Sequence, residues 1–168
     1  MIAKFGHGWT MGAKMSGGQG SDVVSTADRE LVTSRVIDAP RERVFRAFSD
    51  PERLARWWGP KGFTNTFHEF DLRPGGWWRF VMHAPNGANF PNESVFVEVA
   101  PPERVVFRHV SSPQFEMTLT FEDEGDTTVV GWRQLFGTAA ECRRIAKIAV
   151  EANEQNLDRL AAEVAEAS

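Results

Sequence analysis

The side chains able to do chemistry in this chain are few, scattered and mostly uncharged. His109 alternates in phase with Val105 and Phe107, so a strand there would turn its imidazole inward. As an acid or base it would need a carboxylate to orient it, and no inward-facing Asp or Glu can be assigned to that role. His109 is therefore a weak catalytic candidate beside its other reading, a satisfied core or rim histidine. Gln134 shares a strand face with Trp132, and Asn153 falls in an apolar stripe between Val150 and Leu157. A buried amide without partners costs roughly 1–3 kcal/mol, so each either bonds a nearby backbone group or water, or holds the polar end of a ligand. Asp71 and Arg73 flank Leu72 before a double glycine, and Glu98 and Arg104 flank Pro101-Pro102; both pairs read as ion pairs that fix a turn. His68 and His83 fall on outward faces. Four His and one Cys show no HxH, HExxH or CxxC spacing, so no metal site is expected. The lone Cys142 reads as a filler on a helix, not a nucleophile. No nucleophile elbow, Walker loop or dinucleotide fingerprint is present, and no cofactor is expected. Gly17-Gly18-Gln19-Gly20 lacks the strand-to-helix setting such a loop requires.

The elements that must position these groups follow from periodicity. A β-like run from Leu31 to Ile37 meets Asp38-Ala39-Pro40, and a helical pattern with apolar Val44, Phe45, Ala47 and Phe48 follows. Asp50-Pro51-Glu52 opens a second short helix that ends in Trp57-Trp58-Gly59-Pro60. Proline is accepted in a first helical turn, where its missing N–H would be unpaired anyway, while Gly-Pro cannot continue a helix. From Thr64 onward short strands alternate with Gly, Pro and Asn turns. One strand sets Trp78, Phe80 and Met82 on a common face; another sets Phe115, Met117, Leu119 and Phe121 against Glu116, Thr118, Thr120 and Glu122; the last, Thr127 to Phe136, sets Val130, Trp132, Gln134 and Phe136 together. Their short connections predict an antiparallel meander, with the first strand near the last.

From about Thr138 to Val164 the period turns helical, with Thr138 as N-cap and Glu141 completing a capping box. Ala146, Ala149, Val150, Leu157, Leu160 and Val164 form the predicted apolar stripe, opposite Arg143, Lys147, Glu151, Glu154 and Asp158. Such a helix is about 40 Å long. The fold class is α+β: a helix-grip, with a curved antiparallel sheet wrapped around a long C-terminal helix and two short helices after the first strand. A long helix across a bent sheet gapes at one end, and the short helices close that gap into a pocket. Its expected lining is Phe48, Trp57 and Trp58 from the short helices, Trp78, Phe80, Met82, Met117, Leu119, Trp132 and Gln134 from the sheet, and Asn153 from the long helix.

Bulk numbers narrow the function classes. At 168 residues the chain is most simply one folded domain, 29–168, behind a poorly ordered Gly- and Ser-rich leader, 1–28, in which Met11 and Met15 offer alternative starts. A net charge of −4 with no Lys/Arg cluster argues against nucleic acid, which demands a concentrated basic face. No apolar run approaches the ~20 residues that span a bilayer, so no membrane role is expected and the default location is the cytoplasm. Six Trp and thirteen Phe with no Tyr supply large apolar faces and no phenolic hydroxyls, which suits either a bulky core or an aromatic-lined cavity.

Taken in order, Val36-Ile37-Asp38-Ala39-Pro40 with Val44-Phe45, Trp57-Trp58-Gly59-Pro60, Asp71-Leu72-Arg73-Pro74-Gly75-Gly76, Glu98-Val99 with Pro102-Glu103-Arg104-Val105-Val106-Phe107, and Asn156-Leu157-Asp158-Arg159-Leu160 resemble the SRPBCC superfamily. This is the START and birch-pollen-allergen type of hydrophobic-ligand binder, and the chain is most similar to the bacterial homologues of heat-shock-protein ATPase activators. The resemblance covers roughly Leu31 to Val164 and implies a small hydrophobic or aromatic ligand in an internal cavity. It also implies two other classes: a co-chaperone acting by contact with a chaperone, and a polyketide cyclase-like enzyme with metal-free acid–base chemistry, for which His109 with Gln134 or Asn153 would serve. The eukaryotic activators look like two-domain proteins, and this chain has room for the grip domain alone, which weighs against chaperone stimulation.

Overall fold

A computed structural model describes residues 25–167. Most of the expected leader, residues 1–24 with Met11, Met15 and the glycine run, lies outside the described residues. The chain enters through a 3-10 turn at Ala27–Arg29 and runs into β1 (Glu30–Ile37). Pro40 holds extended backbone at the start of α1 (Arg41–Ser49), which turns Val44, Phe45, Ala47 and Phe48 into the core at helical spacing. Asp50 ends α1 and starts α2 (Pro51–Trp57): its backbone N–H donates to Arg46 O, and its carboxylate accepts the Glu52 N–H at 3.0 Å, with Pro51 in the first turn. Trp58 returns to extended backbone and Gly59 takes φ +103°, a left-handed value that favours glycine. A Cβ at Gly59 would also stand 3.3 Å from Phe63 Cβ and 3.4 Å from Met82 Cε.

Among the described residues the sheet has seven antiparallel strands in the order β1-β7-β6-β5-β4-β3-β2. The strands β2 (Thr64–Phe70), β3 (Trp77–His83), β4 (Asn89–Ala100), β5 (Arg104–His109), β6 (Phe115–Glu124) and β7 (Thr127–Phe136) form the expected meander, and β1 closes on β7. In β6 the alternation is as read: Met117, Leu119 and Phe121 are buried. A bulge between Phe96 and Glu98 shifts the register of β4 on β5, leaving Ser94 and Phe96 facing the core and Val97 exposed.

α3 (Ala139–Glu166) lies across the sheet, and the Thr138 hydroxyl accepts the Glu141 N–H at 3.1 Å. The buried seam differs from the expected stripe. It is Cys142, Ala149, Asn156 and Glu163 at seven-residue spacing, with Leu157, Leu160 and Val164 beside them. Val150 is 54% exposed, because it stands a full 100° around the helix from Ala149, whose side meets the protein. The face expected to be solvated is partly claimed by β1: Glu154 accepts the Thr33 hydroxyl and pairs with Arg35 at 3.0 Å, and Asp158 pairs with the same guanidinium at 2.6 Å. Among the described residues no helix is long and apolar enough to cross a membrane.

Candidate functional site

Three polar residues of α3, spaced by three and four, fasten the two short helices over the sheet. Asn156 Oδ1 accepts the Gly59 N–H at 3.2 Å while its Nδ2 donates to Trp57 O at 3.0 Å, both within buried surroundings. These are the orphan groups where α2 stops, so the amide replaces the hydrogen bonds that a continuing helix would have made. Arg159 donates to the carbonyls of Arg56, Trp58, Gly59, Pro60 and Phe63 at 2.7–3.3 Å, and burial lowers its pKa from the usual arginine value. Glu163 receives Arg53 and Arg56. Asn156→Ala is expected to cost about 2 kcal/mol, since two buried backbone groups lose their partner. Denaturant unfolding, with amide exchange at Gly59 as a local reporter, measures it; protection at Gly59 equal to wild type would refute the fastening role.

Behind this fastened turn lies a cavity of about 190 Å³. Its floor is two rows of facing residues across adjacent strands, Trp78–Ser94–His109–Phe115 and Phe107–Met117–Gln134. Trp58 forms part of the roof, stacked on Trp132 at 5.3 Å and edge-on to Trp78 at 5.0 Å. Of the residues expected to line a pocket, Trp58, Trp78, Phe80, Met82, Met117, Trp132, Gln134 and Asn153 do wall this space. Phe48, Trp57 and Leu119 do not; they are packed into the core around it, and Trp57 Nε1 donates to Ala47 O at 2.8 Å. The wall also contains Asn92, Ser94, Phe107, Phe115, Ala152 and Asn156, which the sequence reading did not select. A seven-residue repeat through Cys142, Ala149 and Asn156 would have pointed to Asn156, and the hairpin partner of Trp78 would have pointed to Ser94.

Asn153 is half-buried and its Nδ2 donates to Gln134 Oε1 at 3.2 Å, so the two amides satisfy each other in part. His109 is buried in the wall, with its ring stacked on Phe115 at 4.6 Å. Its Nδ1 faces Pro113 O at 2.7 Å, which fixes a proton on that nitrogen. Its Nε2 faces Asn92 Oδ1 at 2.7 Å, while Asn92 Nδ2 donates to Phe90 O. The Ser111 hydroxyl lies 3.3 Å from the same ring nitrogen and can donate to it when it is unprotonated, the neutral form that burial favours by pushing the imidazole pKa down. His68 is exposed, and His83 bonds Thr66 and Asn89 on the outer face.

The ion pairs read from the sequence are present as Asp71–Arg73 at 2.8 Å and Glu98–Arg104 at 2.8 Å, the first in the loop after β2 and not on a strand. Cys142 is buried, and burial pushes its thiol pKa up, away from a reactive thiolate. A larger surface groove of about 540 Å³ lies against α2 and the end of α3, but its wall carries Arg56, Arg159, Glu163 and Glu166, a poor match for an apolar guest.

Residues 38–165 match the family model described as Activator of Hsp90 ATPase homolog 1-like protein. A search of curated proteins found no significant match. Among solved structures, a Nitrosomonas europaea protein superposes with a TM-score of 0.79 at 21% identity, covering 87% of this chain and 100% of its own. A Chromobacterium violaceum protein is 28% identical with a TM-score of 0.69, over 79% and 95% of the two chains. The AHSA1 protein of Silicibacter pomeroyi is 23% identical with a TM-score of 0.69, over 83% and 99%.

Proposed function

The chain belongs to the Activator of Hsp90 ATPase homolog 1-like family of SRPBCC proteins, and from that premise we propose that it binds a small hydrophobic or aromatic molecule in the cavity beneath α3. The observation that carries this reading is the cavity, walled by Trp58, Trp78, Phe80, Phe107 and Trp132 and roofed by a turn that α3 holds down. Its size sets the guest. About 190 Å³ exceeds the roughly 150 Å³ apolar cavity that takes benzene, and falls short of the roughly 300–1,000 Å³ of sites for larger molecules. One ring with a short arm fits inside; the space is partly open, and a folded polyketide chain would extend beyond it unless the wall moved. Acid–base chemistry has His109 in its favour, but both ring nitrogens are already committed to Pro113 and Asn92, so binding is the better-supported reading.

Toluene or a similar single-ring compound at about 100 times its Kd is expected to stabilise the protein by about 2.7 kcal/mol. That raises the Tm by several degrees for a chain of this size. Ala152→Leu, which grows a side chain from α3 into the cavity, is expected to remove that shift while leaving the unliganded Tm within a few degrees. A wild-type protein whose Tm does not respond to any single-ring apolar compound is not this kind of binder.

A further inference from the structure

Hydrogen bonding in the cavity wall is lopsided. Gln134 is 6% exposed; its Oε1 accepts from Asn153, but its Nε2 bonds no group among the described residues, and the space within its reach is the cavity. Three other wall residues carry a buried polar atom without a partner among the described residues: Trp78 Nε1, Trp132 Nε1 and Ser94 Oγ. An indole N–H can only donate, and a hydroxyl can donate as well as accept. These three are sealed from water on the cavity side as well, so only a shift of the wall would bring them to a guest. Beside the free Gln134 Nε2, the Gln134–Asn153 pair leaves one free acceptor, Asn153 Oδ1. Turning both amides over exchanges which residue offers the N–H but still leaves one donor free. Among the described residues no Lys, Arg, Asp or Glu lines the cavity, and His109 is the one titratable group there. An ionised guest would surrender its water there without meeting a countercharge.

Resting on the binding reading above, we propose that the guest is a neutral single-ring compound bearing a hydrogen-bond acceptor, of the aryl ketone or aryl ester type, whose carbonyl oxygen takes the free amide N–H of Gln134. The apolar wall holds the ring, and the unpaired Gln134 amide sets the class: a hydrocarbon of the same shape leaves that amide without a partner.

The test is titration of the full chain at pH 7.5, by tryptophan quenching or calorimetry, with acetophenone, its near-isostere isopropylbenzene, and benzoate. Acetophenone is expected to bind about tenfold tighter than isopropylbenzene, the weight of one net hydrogen bond, and far tighter than benzoate. Gln134→Leu is expected to bring the two neutral compounds within about threefold of each other by weakening acetophenone alone. Equal affinities in the wild type overturn the acceptor class while the cavity reading stands; binding of neither compound removes both. Benzoate as the tightest of the three overturns the neutrality. A preference that survives Gln134→Leu overturns the assignment to that amide. Should Gln134→Leu fail to fold, Gln134→Met, which keeps the length of the side chain and deletes the amide, takes its place: a ketone preference that survives it has the same overturning force.

Discussion

Trp78→Ala is expected to destabilise the protein by about 3–5 kcal/mol and to lower its Tm by roughly 10 °C. Trp78 is fully buried at the centre of the aromatic cluster, with ring centroids of Phe48, Trp58, Phe67, Phe70, Phe80, Phe96 and Phe107 between 4.7 and 6.1 Å away. Those rings belong to α1, the turn after α2 and strands β2 to β5, so a hole here lies between the sheet and the helices that cover it. Rings cannot collapse into such a hole without leaving their rotamers, and for that reason the cavity term should be near its maximum. The indole N–H has no partner among the described residues, so Trp78→Phe gives up packing only, and about 1.5 kcal/mol is expected. Urea unfolding with an unchanged m value separates this loss from a change in compactness. An alanine variant within about 1 kcal/mol of wild type would mean that the cluster rearranges freely and is no rigid wall.

What the sequence disclosed depends on whether a signal was local. Asp50-Pro51 and Thr138 announce helix starts because a cap is a contact between residues two or three apart, and both bonds are present. Gly59-Pro60 stops a helix by backbone geometry alone. The inward phase of Met117, Leu119 and Phe121, and of His109 with Phe107, follows from a period of two. Depth does not: Leu119 and Trp132 point the same way, yet one is core and the other walls the cavity. The phase of α3 was the costliest gap. Its seam passes through Asn156 and Glu163, polar residues that a search for apolar stripes skips, so Asn153, one turn away, drew the attention that Asn156 deserved on structural grounds. Both polar residues are buried because partners from α2 and the turn after it meet them there, and those partners lie about a hundred residues away in sequence. Ser94 was hidden for a related reason, since its neighbours Val95, Val97 and Val99 carry the obvious alternation while the bulge in β4 turns Ser94 and Phe96 inward.

Glu163→Leu is expected to cost about 3 kcal/mol at pH 7, the low end for breaking a buried ion pair. The Glu163 side chain is 7% exposed, and it accepts from Arg56 at 2.9 and 3.1 Å and from Arg53 at 3.2 Å. Leucine preserves the helix and the bulk but strands Arg53, which is itself largely buried, while the more exposed Arg56 can swing into water; that escape keeps the loss at the low end. Arg53→Met in the Glu163→Leu background should therefore recover most of the stability, because an apolar pair of similar volume replaces the charges. The same latch carries a pH signature. Hydrogen bonds from Arg56 first, then Arg53, hold the Glu163 carboxyl below the ordinary glutamate pKa of 4.5 against the opposing effect of burial. A depressed carboxylate stabilises the fold fully above its unfolded pKa and loses that contribution as pH falls through the folded value. The stability gap between wild type and Glu163→Leu should accordingly be constant from pH 7 to about 5 and close progressively below 4.5. Because α2 leads directly into Trp58 in the cavity roof, acid that releases this latch should also weaken capture of a guest, and more in wild type than in the Arg53→Met, Glu163→Leu double variant. A gap that stays the same down to pH 3 would show that Glu163 is not held by its arginines in the folded protein.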